Sequence, residues 1–384
     1  MRVRDICVGI ADGSHNPPQG IEMSDYLMLS SKNIFDDEIT FDNPRYLAQS
    51  DFEQEDRRTK VMAGNVLLTI VGTVGRAAVV DEKMPPFTLQ RSVAVLKPKA
   101  DVCNSRYLMY ALQGKRTYIE NSAKGVAQKG IYLNEVSNID LRIPALYEQE
   151  SIVILLDKIT AVTRSYQKQI QKLDELVKSR FVEMFGTYPN NPLRWETGRI
   201  RDIVEDVRYG SSRPAVEGGK YPYLRMNNIT YSGELDLSDT KRIDVPENEL
   251  EKCTVHRGDV LFNRTNSKEL VGKTCVYNRD ELMVLAGFVI RVRVTERVLP
   301  EFLSAFLNTD FSKQMLLGMC KAAIGQANIN AQEMQDIGLY LPPVELQNQF
   351  VHFKAEVDKS KLAVKQSLEK LETLKKSLMQ QYFG

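Results

Sequence analysis

Apolar residues recur with a helical period over two long stretches of the chain, residues 144–186 and 342–384. The stretches have the same length and map onto each other without a gap. Pro144 falls on Pro342, Gln149 on Gln347, Leu173 on Leu371, and Phe185-Gly186 on Phe383-Gly384. In the first, Ile152, Leu155, Ile159, Val162, Tyr166, Ile170, Leu173 and Leu176 fall at steps of three and four. Their counterparts are Phe350, Phe353, Val357, Ser360, Val364, Leu368, Leu371 and Leu374. A stripe at this spacing lies along one side of a helix and has to be buried. It continues for about 35 residues, roughly 50 Å at the helical rise per residue. That is the length and period of a coiled coil, so each helix is expected to pack on another. Each stretch opens on Pro and Glu and closes on Gly, the asymmetry expected of helix ends. Ser360, opposite Val162 in the alignment, makes the seam polar at one point, and polar seam positions fix register.

The repeat is larger than the helix. IYLNEVSNIDLRIP (131–144) matches INAQEMQDIGLYLP (329–342), and GNVLLTIVGTVGRAAVV (64–80) resembles GDVLFNRTNSKELVGKTCVY (258–277). Arg4-Asp5-Ile6 with Gly13 matches Arg201-Asp202-Ile203 with Gly210, and Asn33-Ile34 matches Asn228-Ile229. The expected organisation is a globular part at 1–143, a long helix at 144–186, a connector at 187–197, a second globular part at 198–341 and a second long helix at 342–384. The connector has the Pro and Asn content of a loop. Within the globular parts, NVLLTIVG, RSVAVLKP, DVLFN and GFVIRVRV read as strands. SRYLMYALQGKRTYIEN and PEFLSAFLNTDFSKQMLLGMC read as helices. The fold class is therefore α+β, with two mixed globular parts and a pseudo-twofold internal repeat.

Composition narrows the class. Hydrophobic residues make up 43% of the chain and charged residues 26%, as in ordinary globular proteins. No apolar run has membrane-span length and the N-terminus is unlike a signal peptide, so a cytoplasmic protein is expected. Cys7, Cys103, Cys253, Cys275 and Cys320 are scattered, and the three histidines do not pair, so neither a disulfide framework nor a metal site is indicated. The formal net charge is only +1, so any surface for nucleic acid has to arise from local clustering.

Two fragments imitate enzyme motifs and fail. Asn16-Pro17-Pro18 lacks the aromatic of an N-P-P-[YF] methyltransferase motif, because Gln19 follows it. Gly272-Lys273-Thr274 ends like a P-loop, but Ser267 occupies the place of the first glycine. No catalytic residue is assigned. What remains is a set of polar loops at matching places in the two copies. In the first copy the candidate contacts are Ser14, His15, Ser31, Lys32, Asn33, Thr73, Arg76, Lys124, Gln128 and Lys129. In the second they are Ser211, Ser212, Arg213, Arg225, Asn227, Asn228, Asn263, Arg264, Thr265, Asn266, Ser267, Lys321, Gln326 and Asn328. Arg reaches guanine, Asn and Gln reach adenine, and Lys, Ser and backbone N–H hold phosphate, so the set suits duplex DNA.

These strings resemble, over the full length, the specificity subunits of Type I restriction–modification systems. The resemblance rests on the P-x-x-x-x-Q starts at Pro144 and Pro342 and on the L-x-x-L-x-x-S-x-F-x-x-M-F-G ending of the first helix. GDVLFNRTNSKELVGKT, AAIGQANINAQEM and ADGSHNPP are similar to segments of the family's target-recognition domains. The resemblance implies two target-recognition domains, each reading one half of a split site, held apart by two long helices packed antiparallel. It further implies a chain without catalysis or cofactor of its own. Two modification subunits dock on the helices and carry S-adenosylmethionine, and restriction subunits join them. A coiled-coil scaffold whose two globular parts bind some other ligand is the alternative, and the unequal loops on equal frames favour DNA.

Overall fold

The structure, a computed structural model, describes residues 1–125, 129–323 and 326–384. It divides into two compact units, Met1–Tyr166 with Gln366–Gly384, and Gln167–Lys365. Each unit therefore holds one globular part, half of the first long helix and half of the second.

In the first unit a four-stranded antiparallel sheet has the order Cys7–Asp12, Val93–Pro98, Val66–Thr69, Ala77–Val79. The second unit repeats it with Val204–Tyr209, Val289–Val294, Val260–Asn263 and Thr274–Val276. Even the bulge in the first strand recurs, at Cys7/Gly9 and at Val204/Asp206. A smaller sheet follows in each unit, built around a parallel pair. The pair is Leu27–Leu29 beside Phe87–Leu89 in one and Tyr221–Leu224 beside Met283–Leu285 in the other.

The continuous apolar runs of these strands have a physical cause: both faces of the main sheet are covered. Val66, Leu68, Ala94 and Leu96 face a core that includes Val153, Leu156 and Phe383 of the long helices. Leu67, Val93 and Val95 face the smaller sheet through Leu29, Phe87 and Leu89. The second unit is layered alike. Val260, Phe262, Ile290 and Val292 meet Phe181, Phe185 and Phe350. Leu261 and Val289 meet Leu224 and Leu285. Arg291, in the alternating run VIRVRV, does not reach solvent; it is buried and donates to Asp206 Oδ2 at 2.6 Å.

The long helices span Leu146–Phe185 and Val344–Phe383. In both units they run antiparallel. Phe181 packs on Phe350 and Arg180 lies over Phe353, while further back along the first helix Asp174 pairs with Lys361. In the first unit Lys375 Nζ donates to Thr160 Oγ1 at 2.9 Å, and Leu378, Met379 and Phe383 join the core that holds Val153 and Leu156. The buried stripe departs from the apolar one at its ends. Tyr166, Ile170 and Leu173 are partly covered as expected, but Leu155, Val162 and Leu176 are exposed. Val153, Leu156, Thr160 and Phe181 are buried instead. Ser360 faces solvent, and the polar seam residue is its neighbour Lys361. An apolar criterion cannot find a stripe whose own members include Thr160 and Lys361.

The helical segments before the loops are each broken in two, Ser105–Gly114 with Arg116–Ser122 and Pro300–Leu307 with Asp310–Met319. At the first break, a Cβ on Gly114 would lie 2.5 Å from Phe383 Cβ, so only glycine admits the second long helix so closely. At the second, Thr309 is extended and its hydroxyl accepts from Ser312 N, which starts a new helix.

The start of each long helix is tied down by a buried glutamine. Gln149 Oε1 accepts from Asn104 N at 2.9 Å, and its amide donates to Val102 O and Pro144 O at 2.9 and 2.8 Å. Gln347 does the same with Leu299 N, Arg297 O and Pro342 O at 2.9, 3.2 and 2.9 Å. This is the physical content of the P-x-x-x-x-Q spacing: one side chain satisfies three backbone groups at the junction of sheet, helix and loop. Gln347→Met removes all three bonds at nearly constant volume. It is expected to lower the unfolding free energy by about 2–4 kcal/mol, read as a lower urea midpoint at unchanged slope. An unchanged midpoint would show that the junction is held by packing alone.

Candidate nucleic-acid interface

The polar loops converge because they leave the same end of the sheets. In the first unit the loop after Cys7–Asp12 crosses the end of the parallel pair. Ser14 bridges to Gln90, Arg91 N donates to Ser14 O at 2.9 Å, and Gln90 N donates to Leu29 O at 2.8 Å. Gly13 is required there, since a Cβ would sit 2.0 Å from Leu89 O; Gly210 meets Leu285 O at 2.2 Å in the same way. Ser31 N donates to Ser92 Oγ at 3.0 Å, Val71 N to Ser92 O at 3.3 Å and Gly72 N to Lys129 O at 3.0 Å. One continuous surface thus carries His15, Ser31-Lys32, Thr73, Lys124 and Lys129, above the buried Ser14. Arg76 lies over the Phe35 ring, 4.9 Å from its centre.

Within this surface His15 is held rather than free. Asp12 Oδ2 lies 2.7 Å from His15 Nε2, and Arg58 donates to the other oxygen of the same carboxylate. Burial works against the charge on Asp12, but the Arg58 and His15 bonds outweigh it and keep the carboxyl below the usual range.

The second unit builds its surface from matching loops. Ser211 N donates to Leu285 O at 2.7 Å, Gly287 N to Ser211 O at 2.7 Å and Ala286 N to Leu224 O at 2.9 Å. Arg264 N donates to Phe288 O at 3.0 Å, and Ile329 N to Arg264 O at 2.9 Å. Thr265-Asn266 pairs as a short strand with Gln326–Asn328, and Thr265 Oγ1 donates to Asn328 Oδ1 at 2.9 Å. Ser211 to Arg213, Arg225, Asn227, Arg264 to Ser267 and Asn328 therefore share one face. Gln128 lies outside the described residues, as do the side chains of Lys321 and Gln326.

Five candidates are buried: Ser14 and Thr265 lie beneath these surfaces, and three asparagines are turned inward. Asn33 is buried, with Oδ1 accepting from Ser30 N and the amide donating to Asp42 O at 3.0 Å. Asn228 repeats this with Arg225 N and with Asp236 O at 2.8 Å. Asn263 is buried and accepts from Thr265 N at 3.2 Å. These asparagines shape the loops, because short amide side chains bond nearby backbone and stabilise turns. The cations also differ in availability. Arg213 forms a two-toothed pair with Glu249, and Arg225 pairs with Asp239 at 2.9 Å. Arg264 has no carboxylate partner among the described residues; its guanidinium lies 4.9 Å above the Tyr209 ring, near Gly287 O. A guanidinium stacked on an aromatic and free of a carboxylate is the type of group that reads a guanine edge.

Sequence reasoning missed Arg91, Tyr209 and Phe288, all exposed on these surfaces. Arg91 and Phe288 sit just before the strands Val93–Pro98 and Val289–Val294. The signal was their place at the strand start in both copies.

A family model for the Type I restriction modification DNA specificity domain matches residues 29–175 and 192–374. The chain belongs to that family. It is 25% identical over 265 residues to the EcoKI specificity subunit of Escherichia coli strain K12, covering 64% of this chain and 57% of that one. It is 26% identical over 196 residues to a putative MjaX specificity subunit of Methanocaldococcus jannaschii, covering 50% and 46%. The chain thus spans about half the length of these two relatives. The S subunit of a Type I restriction–modification system from M. genitalium has a similar fold, with TM-score 0.55 at 12% identity, covering 100% of this chain and 95% of that one. A chain solved in work on assembly and conformational transition of the type I R-M system gives 0.56 at 15% identity, covering 100% and 96%. Among the described residues no helix is long and apolar enough to cross a membrane.

Arg264→Ala is expected to weaken DNA binding by about 1–3 kcal/mol and to relax sequence preference in one half-site only. Asn228→Ala is expected to lower the unfolding free energy by about 1–3 kcal/mol, since backbone partners are left unpaired. Selection of bound sequences, run beside thermal melts, separates the two. A specificity change in Asn228→Ala at unchanged stability would return that side chain to the reading set.

Proposed function

We propose that the chain is the DNA-reading specificity subunit of a Type I restriction–modification complex. Each globular part reads one half of a split, asymmetric site in duplex DNA. The chain itself transfers no methyl group and holds no cofactor. Modification subunits dock on the long helices and bring S-adenosylmethionine, and restriction subunits add to that assembly.

The observation that carries this reading is the repeated surface. In both units polar and cationic loops gather at the same end of the sheets on the same backbone frame, and the side chains they present differ. A repeated frame with unlike contacts suits two unlike half-sites. Family membership supports the reading as well. Helices of 40 residues are about 60 Å long. Successive major-groove faces lie about 34 Å apart.

Two experiments test this. With its modification subunits the chain is expected to bind duplex DNA, with affinity falling steeply as salt rises, because phosphate contacts release counterions. Methyl transfer by the purified chain alone with S-adenosylmethionine would overturn the non-catalytic reading. Methylation maps of the host with and without the gene give the target as the motif lost.

The helices also act as a ruler. A matched insertion of seven residues near Tyr166 and near Val364 keeps the seam in register. It adds about 10.5 Å, or about three base pairs at the rise of DNA. The unread spacer selected from a random-spacer library is expected to lengthen by about three base pairs, with some loss of affinity from the groove's rotation. An unchanged spacer in a well-folded insertion variant would mean that partner subunits set the distance.

A further inference from the structure

In both units a hairpin turn leaves the recognition surface and sets a carboxylate between two cations, one of a short and one of a long helix in the first unit and both of the second long helix in the second. In the first unit the turn joins Ile34–Phe35 to Glu38–Ile39. It follows directly on the loop that holds Ser31 and Lys32, across the capping residue Asn33. Asp37, at its tip, has a left-handed backbone with φ of 59°. Its side chain is only 9% exposed; Arg106 Nη1 lies 2.9 Å and Arg164 Nη2 3.2 Å from its carboxylate. Arg164 Nη2 also donates to Asp37 O at 2.9 Å. Arg106 is itself gripped by Asp157 of the long helix, at 2.6 Å. The next carboxylate, Asp36, pairs with Arg116.

In the second unit the matching turn follows Arg225, Asn227 and the capping residue Asn228. Ile229 bridges to Leu235 as the hairpin closes, and Gly233 takes the left-handed place of Asp37 with φ of 83°. The acid is now Glu234. Its oxygens lie 2.6 Å from Lys361 Nζ and 2.6 Å from Lys365 Nζ. Lys361 is 4% exposed and is held as well by Asp174 of the other long helix. Burial disfavours the charge on Glu234, yet the two lysines hold its carboxyl below the usual range.

The same junction is thus closed twice with different chemistry, Asp between arginines and Glu between lysines. Packing alone would not need an acid between two cations at this point in either copy. A carboxylate bonded to two cations, with Asp37 itself or the partner Lys361 buried, is costly to misplace, because a displaced turn leaves charge unpaired where water reaches it poorly. It therefore fixes position more sharply than apolar contact does.

We propose that Asp37 and Glu234 are positioning residues: each latches the base of a DNA-reading loop to the long helices and so sets where that loop stands along them. This rests on the function proposed above and concerns the spacer, not the bases read. The test uses the full chain assembled with its modification subunits and a DNA library with two fixed half-sites and random spacer length. Asp37→Asn and Glu234→Gln are chosen because Arg106 keeps Asp157 and Lys361 keeps Asp174. Each variant is expected to keep its half-site bases and to select a broadened or shifted spacer, by about one base pair. Lys365→Gln, on the exposed side of the latch, gives the same reading should Glu234→Gln fail to melt cooperatively. A spacer distribution unchanged in Asp37→Asn, Glu234→Gln and Lys365→Gln overturns the proposal. If the unaltered complex selects no split site at all, the functional reading fails instead, and the two failures are distinct.

Discussion

The constraint behind this structure is that the central sheets have two apolar faces and both have to be covered. The smaller sheet covers one face of each. The other carries the helices Ser105–Gly114 and Pro300–Leu307, and the long helices close the same cores through Val153, Leu156 and Phe383 in one unit and Phe181, Phe185 and Phe350 in the other. A globular part cut off at the helix start would leave that part of its core in water, at about 25 cal/mol for each Å² of apolar surface. The helices are therefore core elements as much as connectors. The compact units accordingly cut through the middle of both helices rather than at their ends. The buried glutamines follow from the same demand. A helix that must dock on a sheet at its first turn needs its starting backbone satisfied without water, and Gln149 and Gln347 supply both donors and an acceptor.

The seam between the helices is less apolar than a simple coiled coil. Thr160 and Lys361 are buried in it, and Lys375 reaches across to Thr160. Burial disfavours the charge on Lys361, and Asp174 and Glu234 more than restore it. Such positions add little stability over apolar ones, but a slipped register would strand them. The polar members thus oppose sliding of one helix along the other.

Much of the frame was legible in the sequence. The duplication, the two helices, the strands 65–72 and 91–98 and their counterparts are carried by periodicity, and periodicity reports burial directly. The buried face of each helix was less legible. Ile154, Leu155 and Val162 are exposed apolar residues beside the true seam, so the eye follows the wrong neighbour. The broken helices before the loops were missed for two reasons: Gly114 meets Phe383 from far along the chain, and the cap at Thr309 lies inside a continuous apolar period. The candidate surface was legible as a set of loops, since polar loops leaving one sheet end must meet. Which side chains point outward was not, because Asn33, Asn228 and Asn263 have the chemistry of base readers and the position of caps.

The repeat itself sorts those two roles. Positions filled alike in both copies are spent on the frame. Gly13 and Gly210 admit the crossing loop, Ser14 and Ser211 bridge to the parallel strand, and Asn33 and Asn228 cap their turns. Positions beside them that differ are exposed ones: His15 against Ser212, and Lys32 against Asn227. A duplicated fold must solve its backbone problems twice in the same way, because geometry admits few answers. It is free wherever a side chain meets only solvent or a partner. Difference between the copies at the exposed end of the sheets accords with the function proposed above, in which the two surfaces meet unlike partners.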